Sequence, residues 1–190
     1  MAHRLIVITG ATGTGKTTVS RYLTQTYNIQ RVMTHTTRPK RFNEVEGIDY
    51  AFETPASFGK NHYIEDVTYA GYQYGSSYES LYAAWDKHNF ASIVLDTKGA
   101  ITYAQKLGPA VKTLFLTIDD PAILKSRLLA RGDDPKMVDA RLKSPEYQRD
   151  LVLPAELTAS ATVIANDNWP HAQAAIDQFM KQLAKEVAGF

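Results

Sequence analysis

Residues Arg4–Thr9 (RLIVIT) form an apolar run without alternation, of strand length, which is the pattern of a strand covered on both faces. Phe90–Leu95 (FASIVL), Val111–Ile118 (VKTLFLTI) and Ala161–Ala165 (ATVIA) repeat it. Between these runs the period changes. Lys16–Tyr27 carries Val19, Tyr22 and Leu23 at helical spacing, and Lys98–Leu107, Pro121–Arg131, Lys136–Leu157 and Trp169–Val187 also read as helices. Strands alternating with helices predict an α/β fold, a parallel core sheet covered by helices.

One stretch breaks the alternation. Thr36 to Tyr78 is rich in Tyr, Phe, Gly and Thr, with strand-like pieces in DYAFET and NHYIEDVTYAG. It predicts a small mixed or antiparallel lobe inserted after the second core strand. RGDDPK, residues 131–136, is a second irregular patch, lying between helices.

A length of 190 residues suits one core with a small inserted lobe. The net charge of +1 gives no global field for nucleic acid or an anionic membrane, so any anion must be held by a local cluster. With no cysteine, disulfides, thiolate catalysis and cysteine-ligated metals are excluded, and a reducing, cytoplasmic setting is the expectation. The apolar run near the N-terminus is too short for a signal-peptide core or a membrane span.

The first such cluster is Gly10-Ala11-Thr12-Gly13-Thr14-Gly15-Lys16-Thr17, followed by Thr18, which fits G-x-x-x-x-G-K-[ST] at every position. The glycines let backbone N–H groups turn inward around a phosphate, and the helix that follows adds its N-terminal dipole. Lys16 is placed to reach the β- and γ-phosphates and the Thr17 hydroxyl to ligate Mg²⁺. A glycine-rich turn can exist without a ligand. Here the buried strand before it and the helix after it supply the context that a nucleoside triphosphate site requires.

No N-K-x-D guanine-reading motif of GTPases is present, and the chain is short for a motor ATPase. A small phosphotransferase remains, and it needs a second pocket for the acceptor. THTTRPKR, residues 34–41, offers Arg38 and Arg41 separated by two residues in a Pro-containing stretch, with Tyr50, Glu65, Tyr74, Gly75 and Ser76 downstream. Two guanidinium groups with tyrosine hydroxyls suit a phosphate dianion. A carboxylate with a nearby hydroxyl suits a purine edge rich in N–H donors. Lys40 and His35 receive no role.

In these motifs the chain resembles the guanylate kinase family, from Arg4 to about Asn168. The family's S/T-x-T-T-R-x-x-R stretch reads here as Thr34, Thr36, Thr37, Arg38 and Arg41, and its G-E-V-x-G-x-D-Y-x-F stretch as Glu44–Phe52. F-I-E is Tyr63-Ile64-Glu65, and Y-G-[ST] is Tyr74-Gly75-Ser76. R-L-x-x-R-G is Arg127-Leu128 with Arg131-Gly132, followed by Arg141-Leu142, and V-I-x-N-D is Val163–Asp167. The resemblance implies a P-loop NTPase three-layer fold: a five-stranded parallel core, about residues 1–35, 86–130 and 145–190, an NMP-binding lobe at about 36–85 and a lid at about 131–144. It implies ATP as phosphoryl donor, with Mg²⁺ as cofactor, and GMP, with dGMP, as acceptor. Arg38, Arg41, Tyr50 and Tyr74 would hold the acceptor phosphate; Thr34, Glu65, Gly75, Ser76 and Asp96 would line the guanine site. Asn166 would join the phosphate loop at ATP, and Arg127, Arg131 and Arg141 would close over the transferring group with Lys16.

The family's L-D-x-D-x-Q-G stretch departs, reading Leu95-Asp96-Thr97-Lys98-Gly99-Ala100 here, with the first aspartate kept and the second missing. Asp96 remains placed to anchor the metal through water. Two other readings stay open: a kinase of this fold with a different small phosphate-bearing acceptor, and a guanylate-kinase-like binding module that has lost catalysis.

Overall fold

The computed structural model of the chain describes residues 3–42, 44–69, 71–130 and 134–188. In chain order the elements begin with β1 (Arg4–Thr9), α1 (Lys16–Tyr27), β2 (Gln30–Arg31), β3 (Thr34–Thr36), β4 (Ala51–Phe52), α2 (Pro55–Phe58), β5 (Tyr63–Tyr69), β6 (Tyr72–Ser77) and α3 (Tyr78–Trp85). They continue with β7 (Phe90–Val94), α4 (Thr97–Leu107), β8 (Val111–Thr117), α5 (Pro121–Ala130), α6 (Pro135–Leu142), α7 (Pro145–Asp150), β9 (Ala161–Ala165) and α8 (Trp169–Ala188).

Five strands form a parallel sheet in the order β2-β7-β1-β8-β9. β1 sits at its centre, and Leu5, Ile6, Val7 and Ile8 are all 0% exposed, as its unbroken apolar run requires. Period-2 alternation splits these side chains between two cores. Ile6 and Ile8, with Leu114 and Leu116, pack on Val19 and Leu23 of α1 and on Ile176 and Phe179 of α8. Leu5 and Val7 face the other way, onto Leu81 of α3 and Ala100 and Tyr103 of α4. Three layers result.

The stretch that broke the alternation forms a second, mixed sheet in the order β4-β3-β6-β5. β3 pairs in parallel with β4 and antiparallel with β6, and β5 pairs antiparallel with β6. α3 then returns to the core, where Trp85 Nε1 donates to the Arg4 carbonyl at 3.1 Å.

The single helix expected over Lys136–Leu157 is instead α6, α7 and a 3-10 turn at Ala155–Leu157. Proline explains the breaks, because the residue before it is steered out of the helical region. Ser144 adopts an extended backbone before Pro145 and accepts from the Tyr147 N–H at 3.2 Å, so it caps a new helix. Among the described residues no helix is long and apolar enough to cross a membrane.

Candidate functional site

The phosphate loop joins β1 to α1 through three glycines in the left-handed region, Gly10 (φ 128°), Gly13 (φ 87°) and Gly15 (φ 95°). A Cβ on Gly10 would collide with the Leu116 carbonyl, and one on Gly15 with the Asn166 amide. Gly15 is also the N-cap of α1 and, having no side chain, makes no side-chain cap bond to its first turn. That is the local basis of an anion cradle.

Side chains fix the loop's shape. The Lys16 ammonium donates to the carbonyls of Gly10 and, at 2.9 Å, Ala11, bending back over the loop. The Thr14 hydroxyl donates to the Ala11 carbonyl at 2.8 Å. Asn166, at the end of β9, donates through Nδ2 to the Thr14 carbonyl at 2.7 Å and is itself buried. Its own carbonyl accepts from Arg127 Nη2 at 2.8 Å. A cleft of about 500 Å³ opens beside the loop, lined among others by Gly13, Lys16, Thr17, Arg127, Asn166 and Trp169. Thr12 and Thr18 line it too. Thr17 also borders a second cleft of about 550 Å³, shared with Thr34 and Tyr50, so this one residue lines both clefts.

Four of the residues expected at the acceptor, Thr34, Glu65, Tyr74 and Ser76, come together through strand register. Ser76 pairs with Thr34 on one side and with Glu65 on the other, and Tyr74 pairs with Thr36. Residues two apart on a strand share a face, which places Tyr74 and Ser76 together. A cavity of about 210 Å³ is lined by Thr34, Tyr50, Glu65, Tyr74, Gly75 and Asp96. Ser76 is fully buried, on the strand between Thr34 and Glu65. Burial, then repulsion from Asp96 and Asp66, pushes the Glu65 carboxyl above the usual carboxylate range, while Lys98 pulls it back. Lys98 belongs to the first turn of α4 and borders a neighbouring cavity with Glu65, Asp66 and Asp96. The strand that carries Glu65 is tied to α4 by Lys106, whose ammonium donates to the Ile64 carbonyl at 2.6 Å.

Arg38 and Arg41 share one carboxylate. Arg38 Nη2 donates to both Glu44 oxygens, at 2.8 and 3.0 Å, and the Arg41 N–H donates to Glu44 Oε2 at 2.9 Å. The bond from Arg38 holds the Glu44 carboxyl below its usual range. The Arg38 guanidinium also lies over the rings of Tyr50 and Phe52, at 5.7 and 5.8 Å from their centroids. The Arg41 side chain is 70% exposed and 3.8 Å from Glu44. Tyr50 and Tyr74 meet edge to face, 6.4 Å between centroids.

Arg141 sits in the last turn of α6. Arg131 lies outside the described residues. His35 is structural: it is buried, its Nδ1 meets Glu53, and its Nε2 meets the Ser77 and Ser80 hydroxyls at 3.1 and 2.9 Å. Glu44, Trp169 and Arg149 are among the residues in or beside these clefts to which the sequence motifs assign no role. Glu44 had a local cue, an acid six residues from Arg38. Arg149 had none, because its partner Asp96 lies 53 positions away.

A family model described as Guanylate kinase matches residues 2–183. Among curated proteins, the guanylate kinase of Streptococcus mutans is 34% identical over 143 residues, 72% of this chain and 68% of its own. That of Chlamydia caviae is 32% identical over 173 residues, 88% and 82% of the two chains. That of Bacteroides thetaiotaomicron is 28% identical over 189 residues, 96% and 90%. The solved guanylate kinase of Anaplasma phagocytophilum superposes with a TM-score of 0.63 at 23% identity, covering 97% of this chain and 86% of that one. A sugar kinase from a Janibacter species shares the fold more loosely, with a TM-score of 0.53 at 16% identity over 96% and 95% of the chains.

Proposed function

Because the chain belongs to the guanylate kinase family, we propose that it phosphorylates GMP, and dGMP, to the diphosphate with ATP, through the residues that the resemblance singles out. An oxygen of the GMP phosphate attacks the γ-phosphorus of ATP, the β–γ bridge breaks, and ADP leaves. Such a transfer needs positioning and charge neutralisation more than covalent chemistry.

Each group of residues then has a single task. Gly10 to Thr18 hold the triphosphate through backbone N–H groups, with Lys16 turning from the loop carbonyls to the phosphates and Asn166 fixing the loop. Arg38, Arg41, Tyr50 and Tyr74 take the GMP phosphate. Glu65 accepts from the guanine N–H groups, and Thr34, Gly75, Ser76 and Asp96 frame the base. A pocket built on such bonds rejects a base that leaves them unpaired. Arg127, in the last turn of α5, and Arg131 and Arg141, from a lid at about residues 131–144, close over the transferring group and exclude water.

The fit of Mg²⁺ rests on Thr17, a hydroxyl-bearing residue that lines both clefts. Among the described residues no group of three or more His, Cys, Asp or Glu side chains converges. A magnesium ion bound chiefly by substrate phosphates, one hydroxyl and waters needs no such cage. Thr17 would ligate it directly and Asp96 through water; when bound, it neutralises charge on the β- and γ-phosphates.

The observation that carries the reading is the register that sets Thr34, Ser76 and Glu65 side by side beyond Thr17. A coupled assay of ADP release with ATP-Mg²⁺ and a panel of monophosphates tests it. Turnover confined to GMP and dGMP is expected. Turnover of AMP or UMP at rates like that of GMP would overturn the acceptor assignment, and no turnover with any acceptor despite ATP binding would favour a binding module. Lys98 beside Glu65 is the feature that would favour a different, more acidic acceptor.

A further inference from the structure

The short helix α7 ends on Arg149-Asp150, and both side chains turn toward the start of α4. Asp150 is buried and accepts from the Thr97 N–H at 3.3 Å and from the Thr97 hydroxyl at 2.5 Å. A buried carboxylate needs a compensating cation. Arg149 supplies it through Nε, 2.8 Å from Asp150 Oδ1 and 3.1 Å from Thr97 Oγ1. The other end of the same guanidinium, Nη2, donates to Asp96 Oδ2 at 2.8 Å. One planar cation therefore joins two carboxylates, and its geometry fixes their separation.

Asp96 has a second tether. It is the N-cap of α4, and its Oδ1 accepts from the Gly99 N–H at 2.7 Å. Its two oxygens thus answer to two different elements, α4 and α7, which together set the rotamer that borders the acceptor cavity. Gly99 keeps this corner tight: a Cβ there would lie 3.3 Å from Asp96 Oδ1 and 3.5 Å from the Glu65 carboxyl carbon. Two acids crowd one helix start, and Arg149 is the cation hydrogen-bonded to one of them.

α7 is well placed to act on this corner. Two residues separate it from α6, and Tyr147 packs with Ala11 of the phosphate loop and Leu124 of α5. The helix therefore touches the donor loop on one side and the acceptor corner on the other. The Arg149 and Asp96 side chains are 36% and 49% exposed, so solvent screens the pair and it contributes little to global stability. Its effect is on geometry.

We propose that Arg149 is a positioning residue of the acceptor site, acting through Asp96 to hold the carboxylate in the orientation that frames the acceptor base. The proposal rests on the functional reading above, in which Asp96 faces that base. Lysine at 149 keeps a cation within reach of Asp96 but cannot also bridge to Asp150, so it restores the function incompletely.

Steady-state kinetics on R149Q, R149K, D96N and the double variant D96N/R149Q test it, with thermal unfolding alongside. R149Q is expected to raise KM for GMP about tenfold, the effect of one charge-assisted hydrogen bond, with a clearly smaller rise in KM for ATP, whose Mg²⁺ Asp96 would hold only through water. R149K should recover most of that loss. In the D96N background R149Q should have no further effect, because the pair acts as a unit. Additive losses in the double variant would overturn the proposal. So would a fall in Tm with equal damage to GMP and ATP kinetics, which would make Arg149 a packing residue alone. Failure of the functional reading shows separately, as wild-type protein that turns over another monophosphate and not GMP, and that result would overturn this inference too.

Discussion

Glu44 occupies the guanidinium of Arg38, with Nη2 2.8 and 3.0 Å from its two oxygens, at a place where both side chains are nearly buried (11% and 13% exposed). An internal carboxylate thus preorganises the arginine over Tyr50 and Phe52 before any ligand arrives. A phosphate dianion carries more charge and more acceptor oxygens than a carboxylate, so it can share or take over the guanidinium.

Arg38→Ala removes the cation from that clamp. A hydrogen bond to a charged group is worth about 1.5–3 kcal/mol, so KM for GMP should rise roughly 10- to 150-fold. KM for ATP should stay within about twofold, since Arg38 borders neither the loop nor its cleft. Parallel kinetics on both substrates check this, and equal losses would mean the clamp has been misassigned.

In the proposed acceptor site Glu65 should confer a pH dependence whose sign follows from its surroundings. Burial, then Asp96 and Asp66, raise its pKa above the ordinary glutamate value of about 4.3. A raised folded-state value means that this group favours the empty fold below the unfolded pKa and loses that contribution as pH rises through the folded one. Guanine recognition needs the opposite form, because only the carboxylate accepts from both N–H groups. The kcat/KM for GMP should therefore fall on acidification through a limb lying above pH ~4.3. Glu65→Gln should flatten that limb while lowering the plateau; a limb unchanged in the variant would assign it elsewhere.

How far the sequence reached depends on the distance over which each feature is determined. β1, α1 and β9 follow their expected bounds, because an unbroken apolar run or a single helical period is a local property. The phosphate loop was legible for the same reason, eight adjacent residues encoding one backbone path. For the proposed acceptor site, side-chain chemistry and the family resemblance single out the residues, but that Thr34, Glu65 and Ser76 are neighbours follows from a strand register that their spacing does not reveal. The long helix after Lys136 was misread where Pro145 and Pro154 override periodicity. The links from Asp96 to Arg149 and from Asp177 to Tyr22 and Tyr27 were invisible, because each joins residues far apart in the chain.

The last of these links supports the donor side without touching it. Asp177 of α8 accepts from the Tyr22 and Tyr27 hydroxyls of α1, each at 2.6 Å, and these bonds hold its carboxyl below the usual aspartate range. A depressed folded-state value gives stability that is present above the unfolded pKa, about 3.9, and is lost as pH falls through the folded value. Asp177→Ala should cost about 2 kcal/mol and lower Tm by roughly 4–8 °C, with KM for both nucleotides unchanged. Calorimetry at neutral pH measures the loss, and the difference between variant and wild type should shrink in strong acid.

Gly15→Ala tests the loop itself. Gly15 holds φ 95°, a conformation in which an L side chain is strained, and its missing Cβ would occupy the place of the Asn166 amide. Asn166 cannot retreat cheaply. It is buried, its Nδ2 donates to the Thr14 carbonyl at 2.7 Å, and its backbone carbonyl accepts from Arg127 at 2.8 Å. Displacing it would break the brace under the loop and shift Arg127 at once. Backbone strain of this kind costs about 1–3 kcal/mol, to which the lost hydrogen bonds add. The expected result is a raised KM for ATP, a fall in kcat through Arg127, and GMP binding in the absence of ATP kept within about twofold by calorimetry. Asn166→Ala combined with Gly15→Ala relieves the collision but not the φ strain, so the double variant should recover some of the Tm and little of the ATP affinity. Full recovery of ATP affinity would show that steric crowding alone, rather than the loop's backbone path, sets the donor site.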